Sequence, residues 1–150
     1  MRQLLGEYDC KIDAKGRMRL PSALLNQLED SQSKKFVINR GFENCLVLYP
    51  IDVWAEKSAE VKCLSDYVQK ERAFKRYFYR GAQEVNVDSA DRILIKKALL
   101  EHAGISKAVI LAAMNETVEI WSKQKYEEMI ANEPDNFSDL AESIFGEKTT

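Results

Sequence analysis

Asp13 and Arg17 stand four residues apart, and Asp88 and Arg92 repeat that spacing 75 positions later. Across a tight turn, a carboxylate at this distance can pair with the guanidinium and accept hydrogen bonds from nearby backbone amides. The plain reading of both pairs is a turn lock that fixes a strand crossover. A second chemistry is open only to the first copy. Lys11, Lys15, Arg17 and Arg19 surround its turn, whereas the matching positions of the second copy hold Asn86, Ala90, Arg92 and Leu94, and Asp91 replaces Gly16. A turn lock does not require the extra cations. The first copy is therefore read as a surface that contacts phosphates or bases, and the second as scaffold. Guanidinium forks suit that task because they pair bidentately with phosphate oxygens or the edge of guanine. A solvated charged hairpin is the alternative that the residues alone leave open.

Other chemistries have little material. His102 is the only histidine and lies in an apparent helix, where a surface or packing role is expected. Cys10, Cys45 and Cys63 form an odd set without metal-ligand spacing and read as reduced, partly buried thiols. No nucleophile–base pair stands out, so neither a catalytic triad nor a zinc centre is expected, and no cofactor. The net charge of −2 hides a gradient. Residues 1–54 carry net +1, residues 55–80 net +3 and residues 81–150 net −6. An acidic chain does not coat nucleic acid by bulk charge, but a local basic face remains open to its N-terminal half. No apolar run approaches the ~18–20 residues that span a bilayer, and the first residues lack a signal-peptide pattern, so a cytoplasmic location is expected.

The elements that position these residues come in two sets. Residues 7–12 read as a short strand and 13–16 as a turn in which Gly16 supplies positive φ. Arg17-Met18-Arg19-Leu20 alternates, placing two arginines on one face and Met18 with Leu20 on the other. Pro21 opens a helix with Leu24, Leu25 and Leu28 on its apolar side. A hairpin follows, with strands at 36–40 and 45–49, then helical pattern from 50 to about 79 with a break near 64–66. In that stretch Tyr67, Phe74 and Phe78 are spaced for a buried helix face. The second set repeats the order: strand 84–87, turn 88–91, strand 92–95, a helix ended by Gly104, a hairpin over 108–121, and a helix capped by Ser122. The hairpins align at an offset of 72, with Trp54 on Tyr126. A repeat whose length change falls in a loop indicates a duplicated unit. Units of ~45 residues are too small to bury a core alone, so the two should pack on each other. The tail from Asn132 is acidic, with one amphipathic patch at Phe137, Leu140, Ile144 and Phe145.

Tandem Asp-x-x-x-Arg motifs, each in a strand–turn–strand–helix–hairpin unit and joined by a helical linker, resemble the MraZ family. These are bacterial transcriptional regulators associated with the division and cell-wall gene cluster and built from two SpoVT/AbrB-type domains. The resemblance is carried by Asp13-Ala14-Lys15-Gly16-Arg17 with Pro21, by Arg80-Gly81-Ala82, and by Val118-Glu119-Ile120-Trp121. It implies an α+β fold of two tandem AbrB-like, swapped-hairpin-type β units packed as a pseudo-twofold barrel with flanking and linking helices. The corresponding division is 5–54, a helical linker 55–80, 81–128 and an acidic tail 129–150. It further implies a ring-shaped homo-oligomer, associated with the nucleoid, that binds double-stranded DNA at short direct repeats upstream of its own operon. Lys15, Arg17 and Arg19 become the DNA-facing candidates, with Lys11 and Arg2 nearby and Arg92 retained in the second unit. Asp13, Gly16, Asp88 and Arg92 become the motif residues. The second copy departs from the family pattern at Asp91, where glycine is usual, and at Lys96, where proline is usual. The rival function is an oligomeric assembly module of the same fold without DNA binding; a small hydrolase is a distant third.

Overall fold

The computed structural model describes residues 3–28, 34–132 and 137–146. The first unit runs β1 (Glu7–Lys11), β2 (Arg17–Arg19), α1 (Ser22–Leu28), β3 (Lys35–Arg40), β4 (Leu46–Pro50) and α2 (Ile51–Lys62). After α3 (Gln69–Arg80) the order recurs as β5 (Gln83–Asn86), β6 (Arg92–Leu94), α4 (Lys97–Ala103), β7 (Ala108–Ala113), β8 (Val118–Ser122) and α5 (Lys123–Ala131). A last helix, α6, spans Phe137–Phe145. The mixed α+β class and the element order expected from the sequence are those observed.

The hairpin strands pair within their own units, β3 with β4 and β7 with β8, but β1, β2, β5 and β6 pair across them. Six strands form one antiparallel sheet in the order β1-β7-β8-β4-β3-β5, and β2 pairs with β6 as a separate two-stranded ribbon. Thus β1 of the first unit lies on β7 of the second, and β5 of the second on β3 of the first. Two registers reveal the symmetry. In β4·β8, Val47 faces Glu119, its own repeat mate at the offset of 72; in β2·β6, Met18 faces Ile93, its mate at 75. An antiparallel pair in which repeat mates oppose each other has a local twofold axis at that point. One pseudo-twofold therefore passes through both pairs, and neither unit is complete without strands of the other.

Alternation explains which side chains meet inside. Met18 and Ile93 are fully buried beneath the ribbon, while Arg17, Arg19 and Arg92 remain at its surface. β3 and β7 are buried over four successive residues because both sheet faces are covered. One face meets the main core, which includes Leu24 and Leu28 of α1 and Leu99 of α4; α2 and α5 pack on the sheet as well. Gly104 ends α4 with φ +63, and the Ser122 hydroxyl accepts from Lys125 N at 3.5 Å.

One expectation fails. Tyr67 and Phe74 do not join a buried helix face: Tyr67 is 96% exposed, Phe74 is 41% exposed, and α3 buries no residue. The physical reason is the break. α2 stops at Lys62 and α3 starts at Gln69, so helical periodicity does not run through Tyr67. Glu71 accepts from Ser65 N at 3.0 Å and Lys75 pairs with Asp66 at 2.9 Å, which fixes the bend. The C-terminal end of α3 is anchored on α2, where Phe78 stacks on Trp54 with centroids 5.4 Å apart and Trp54 also meets Tyr49 edge-on.

Candidate nucleic-acid interface

Both motif turns are built alike. Asp13 Oδ1 accepts from Lys15 N and Arg17 N, each at 2.9 Å, and Asp88 Oδ1 accepts from Ala90 N at 2.9 Å and Arg92 N at 2.8 Å. The second carboxylate oxygen takes the arginine: Arg17 Nε lies 2.8 Å from Asp13 Oδ2, and Arg92 Nε 3.0 Å from Asp88 Oδ2. Hydrogen bonds from the arginine backbone amides, above all, hold both carboxyl groups below the usual aspartate range. The turns also grip each other. Gly16 O accepts from Ile95 N at 2.9 Å and Asp91 O accepts from Leu20 N at 2.8 Å, a reciprocal pair across the pseudo-twofold. Both turns need a left-handed residue at this point, and Gly16 (φ +86) and Asp91 (φ +62) provide it. The change from Gly to Asp therefore leaves the turn geometry intact and alters only its chemistry.

The ribbon decides which cations share a face. Arg19 stands directly opposite Arg92, and Arg17 opposite Leu94. All four side chains lie on the side away from the buried Met18–Ile93 pair. Sequence reasoning proposed Arg92 as a separate candidate in the second unit; the register brings it beside Arg19 of the first. The ion pairs use Nε of Arg17 and Arg92, which leaves the outer edge of each guanidinium available. Lys15 is exposed at the tip of its turn, and Lys11 is exposed at the end of β1, where it faces Ala108. Among the described residues, no carboxylate pairs with Lys11, Lys15 or Arg19. Arg2, the remaining candidate, lies outside the described residues. At the second turn, Ala90 and the 54%-exposed Leu94 replace Lys15 and Arg19, so the face is cationic on one side of the pseudo-twofold and largely apolar on the other.

A second constellation escaped the sequence. A cavity of about 680 Å³ opens between the 41–45 turn, α2 and α3, and its wall includes Arg40, Lys57, Arg80, Phe74, Tyr77 and His102. Burial first, and then the nearby charge of Arg40, lowers the pKa of His102. Next to it, Glu43, Cys45 and Glu119 bring three ligand-type atoms within 4.8 Å of one another. Trp121 Nε1 donates to Glu119 at 3.0 Å, and the Cys45 thiol is pushed up to about 12, by burial and then by the two carboxylates. That thiol is held protonated at neutral pH, which makes it a poor metal ligand. These residues come from separate elements, so no spacing in the sequence announces them.

The family described as "MraZ protein, putative antitoxin-like" matches this chain twice in tandem, over residues 3–77 and 78–148. Full-length relatives agree. A protein named transcriptional regulator MraZ from Christiangramia forsetii is 43% identical over 147 residues, covering 97% of this chain and 95% of its own. Its namesake from Cytophaga hutchinsonii is 40% identical over 137 residues, 91% of each chain. Another from a Thermoanaerobacter species is 40% identical over 141 residues, 94% of this chain and 96% of its own. With two consecutive matches spanning nearly all of its length, the chain belongs to the MraZ family.

Proposed function

We propose that this protein is a sequence-specific, DNA-binding transcriptional regulator that reads DNA with the outer face of the β2–β6 ribbon and the turn before β2. The observation that carries this reading is the register that sets Arg19 opposite Arg92. Like charges directly opposite on one strand face are destabilising on their own. An anionic ligand removes that cost. Arg17 and Arg19 are two residues apart on an extended strand, about 6.6–6.8 Å, which matches two successive steps of ~3.4 Å along a DNA strand. A two-stranded ribbon also fits the major groove, where an arginine fork pairs with guanine.

Arg19, Arg17 and Lys15 make the principal contacts in this reading, with Lys11, Arg2 and Arg92 flanking them. Asp13, Gly16 and Asp88 shape the turns. The exchange of β1 and β5 between units supports two SpoVT/AbrB-type, swapped-hairpin domains over 5–54 and 81–128, with 55–80 as linker and 129–150 as an acidic extension. The relatives' name, transcriptional regulator, supports the regulatory role over an enzymatic one. Among the described residues no helix is long and apolar enough to cross a membrane, and the regulator acts in the cytoplasm on nucleoid DNA. Its target is a set of short direct repeats upstream of its own operon, in the division and cell-wall gene cluster, bound by a ring of protomers whose avidity exceeds that of one ribbon.

The test is a binding titration on that upstream DNA at several salt concentrations, comparing wild type with Arg17→Ala/Arg19→Ala and checking oligomer size in parallel. Each lost guanine contact should weaken binding by about 1–3 kcal/mol, and each lost phosphate contact should flatten the salt dependence by about 0.9 in slope. Absence of binding by wild type at low salt would sink this reading and leave a DNA-independent assembly module of the same fold.

A further inference from the structure

The cavity between the 41–45 turn, α2 and α3 lies apart from the ribbon and has chemistry of its own. Its volume of about 680 Å³ falls in the range of ~300–1,000 Å³ typical of small-molecule sites. Tyr49, Phe74, Tyr77 and Phe78 give it an aromatic wall, and Phe42, 92% exposed, stands at its rim. The same wall carries the cations Arg40, Lys57 and Arg80 and the carboxylates Glu43, Glu60 and Glu119. Among the described residues none of these charged groups joins an ion pair. They are sorted into two poles instead. At the acidic pole, oxygens of Glu43 and Glu119 lie within 4.8 Å of each other and of Cys45 Sγ. Two carboxylates this close oppose each other's ionisation unless a cation joins them. The basic pole surrounds His102, on which Arg40, Lys125 and Arg80 all act as positive charges. There Arg40 Nε and His102 Nε2 are both shut off from solvent without a hydrogen-bond partner. Such atoms are rare in folded proteins because leaving them unpaired is costly. Arg40 packs against Gly81, where an added Cβ would come within 2.8 Å of its Cγ.

We propose that this cavity binds a small zwitterion with an aromatic side chain, an amino acid or a short peptide. Its ammonium lies between Glu43 and Glu119, its carboxylate on Arg40 and Arg80 beside His102, and its ring against Phe74, Tyr77 and Phe78. The two poles select this class. A simple anion would leave the two carboxylates facing each other. A simple cation would leave the buried Arg40 Nε without an acceptor. A metal ion would answer the acidic pole alone, and the protonated Cys45 thiol is a poor ligand for it. A molecule that carries both charges answers both poles, through charge-assisted hydrogen bonds, and the aromatic wall takes its apolar body. The site does not depend on the DNA-binding reading of the ribbon.

The experiment is isothermal titration calorimetry of the full chain, without DNA, against four probes. Phenylalanine and the dipeptide phenylalanyl-alanine carry both charges; phenylpropionate carries only the carboxylate and phenethylamine only the amine. At least one zwitterion should bind, and each single-charge probe should bind at least about tenfold more weakly than it, for the loss of one charge-assisted contact. The tighter of the two zwitterions tells amino acid from peptide. Trp54 stacks on Phe78 and Trp121 donates to Glu119, so binding should also change the tryptophan emission. Glu43→Gln should weaken the zwitterion and leave phenylpropionate unchanged, and Arg80→Gln should weaken the zwitterion and leave phenethylamine unchanged. Both side chains are exposed, so both variants should keep the wild-type urea midpoint. Failure of both zwitterions to bind, a single-charge probe that binds as tightly as the better zwitterion, or a zwitterion affinity that neither variant changes overturns the proposal. Loss of DNA binding in Arg17→Ala/Arg19→Ala would leave these titrations untouched.

Discussion

Replacing Gly16 by alanine probes the point at which the two turns hold each other. Gly16 has φ +86, in the left-handed region that an L side chain enters at a cost of about 1–2 kcal/mol. Its added Cβ would meet Ile95 O at 2.8 Å, 0.6 Å inside the 3.4 Å where ordinary contact begins. That oxygen cannot retreat easily. Ile95 is 2% exposed, and its own N–H is bound to Gly16 O at 2.9 Å. Overpacking against a fixed group adds about 1–3 kcal/mol, so Gly16→Ala should cost about 2–5 kcal/mol in all. For a chain of this size that is a fall of roughly 4–20 °C in Tm. Gly104→Ala is the control. Gly104 has φ +63, but its Cβ would meet Lys125 Nζ at 2.7 Å, the free end of a flexible side chain. It should cost only the left-handed term, about 1–2 kcal/mol. Urea denaturation of both variants, followed by circular dichroism, orders the two effects. If Gly104→Ala proves as costly as Gly16→Ala, the reciprocal grip of the turns is not a stabilising contact.

Four other outcomes are expected. Asp13→Asn should weaken DNA binding more than Asp88→Asn, because only the first turn positions Lys15 and leads into Arg19; a side-by-side titration decides it. In the folded chain Asp13 and Asp88 titrate below their usual value of 3.8, so the stability they contribute is present above that value and lost as pH falls through their folded pKa. Denaturation of the double Asp→Asn variant should accordingly show a flatter loss of stability below about pH 4. The folded pKa of His102 lies below 6.5, so the unfolded chain takes up its proton first, and this stability is full above 6.5 and declines as pH falls below it. His102→Gln should remove that decline, measured as urea midpoints between pH 7 and 5. Trp54→Ala removes the ring between Tyr49, Phe78 and Tyr79; the half-buried site places the loss at about 2–4 kcal/mol, and limited proteolysis should cut first within α3.

What could be read from the chain alone was whatever is local. The Asp–Gly turn, the alternation of Arg17-Met18-Arg19, the Ser122 cap and the Gly104 stop each lie within a few residues, and each formed as the sequence implied. Alternation gives the face of a strand but not its neighbour. Nothing in residues 7–11 distinguishes pairing with the first unit's hairpin from pairing with β7, so the strand exchange and the meeting of Arg19 with Arg92 had to come from the structure. Tyr67 shows the other limit. Its spacing to Phe74 counts only inside one continuous helix, and the break at 63–68 resets the phase. The cavity lay beyond reach for a third reason. Arg40 and His102 come from β3 and α4, 62 residues apart, and Glu119 reaches Cys45 only because β4 pairs with β8.

The symmetry of the fold makes the polarity of the DNA site a sharp test. The backbone of the ribbon obeys a pseudo-twofold, which by itself would favour a palindromic site. The side chains break it: the positions that hold Lys15 and Arg19 in the first unit hold Ala90 and Leu94 in the second. Each protomer therefore presents a directional pattern of charge. A head-to-tail contact repeats that direction from one protomer to the next, whereas an isologous dimer would reverse it. Direct repeats are the DNA counterpart of the first arrangement and inverted repeats of the second. Neighbouring ribbons on one DNA face should be separated by about 10–10.5 base pairs or a multiple. Inverting one repeat while keeping its centre fixed should abolish the gain from multivalency and leave roughly single-site affinity. Equal binding of direct and inverted arrangements would show that the asymmetry between Lys15–Arg19 and Ala90–Leu94 plays no part in recognition. The scaffold symmetry alone would then set the site.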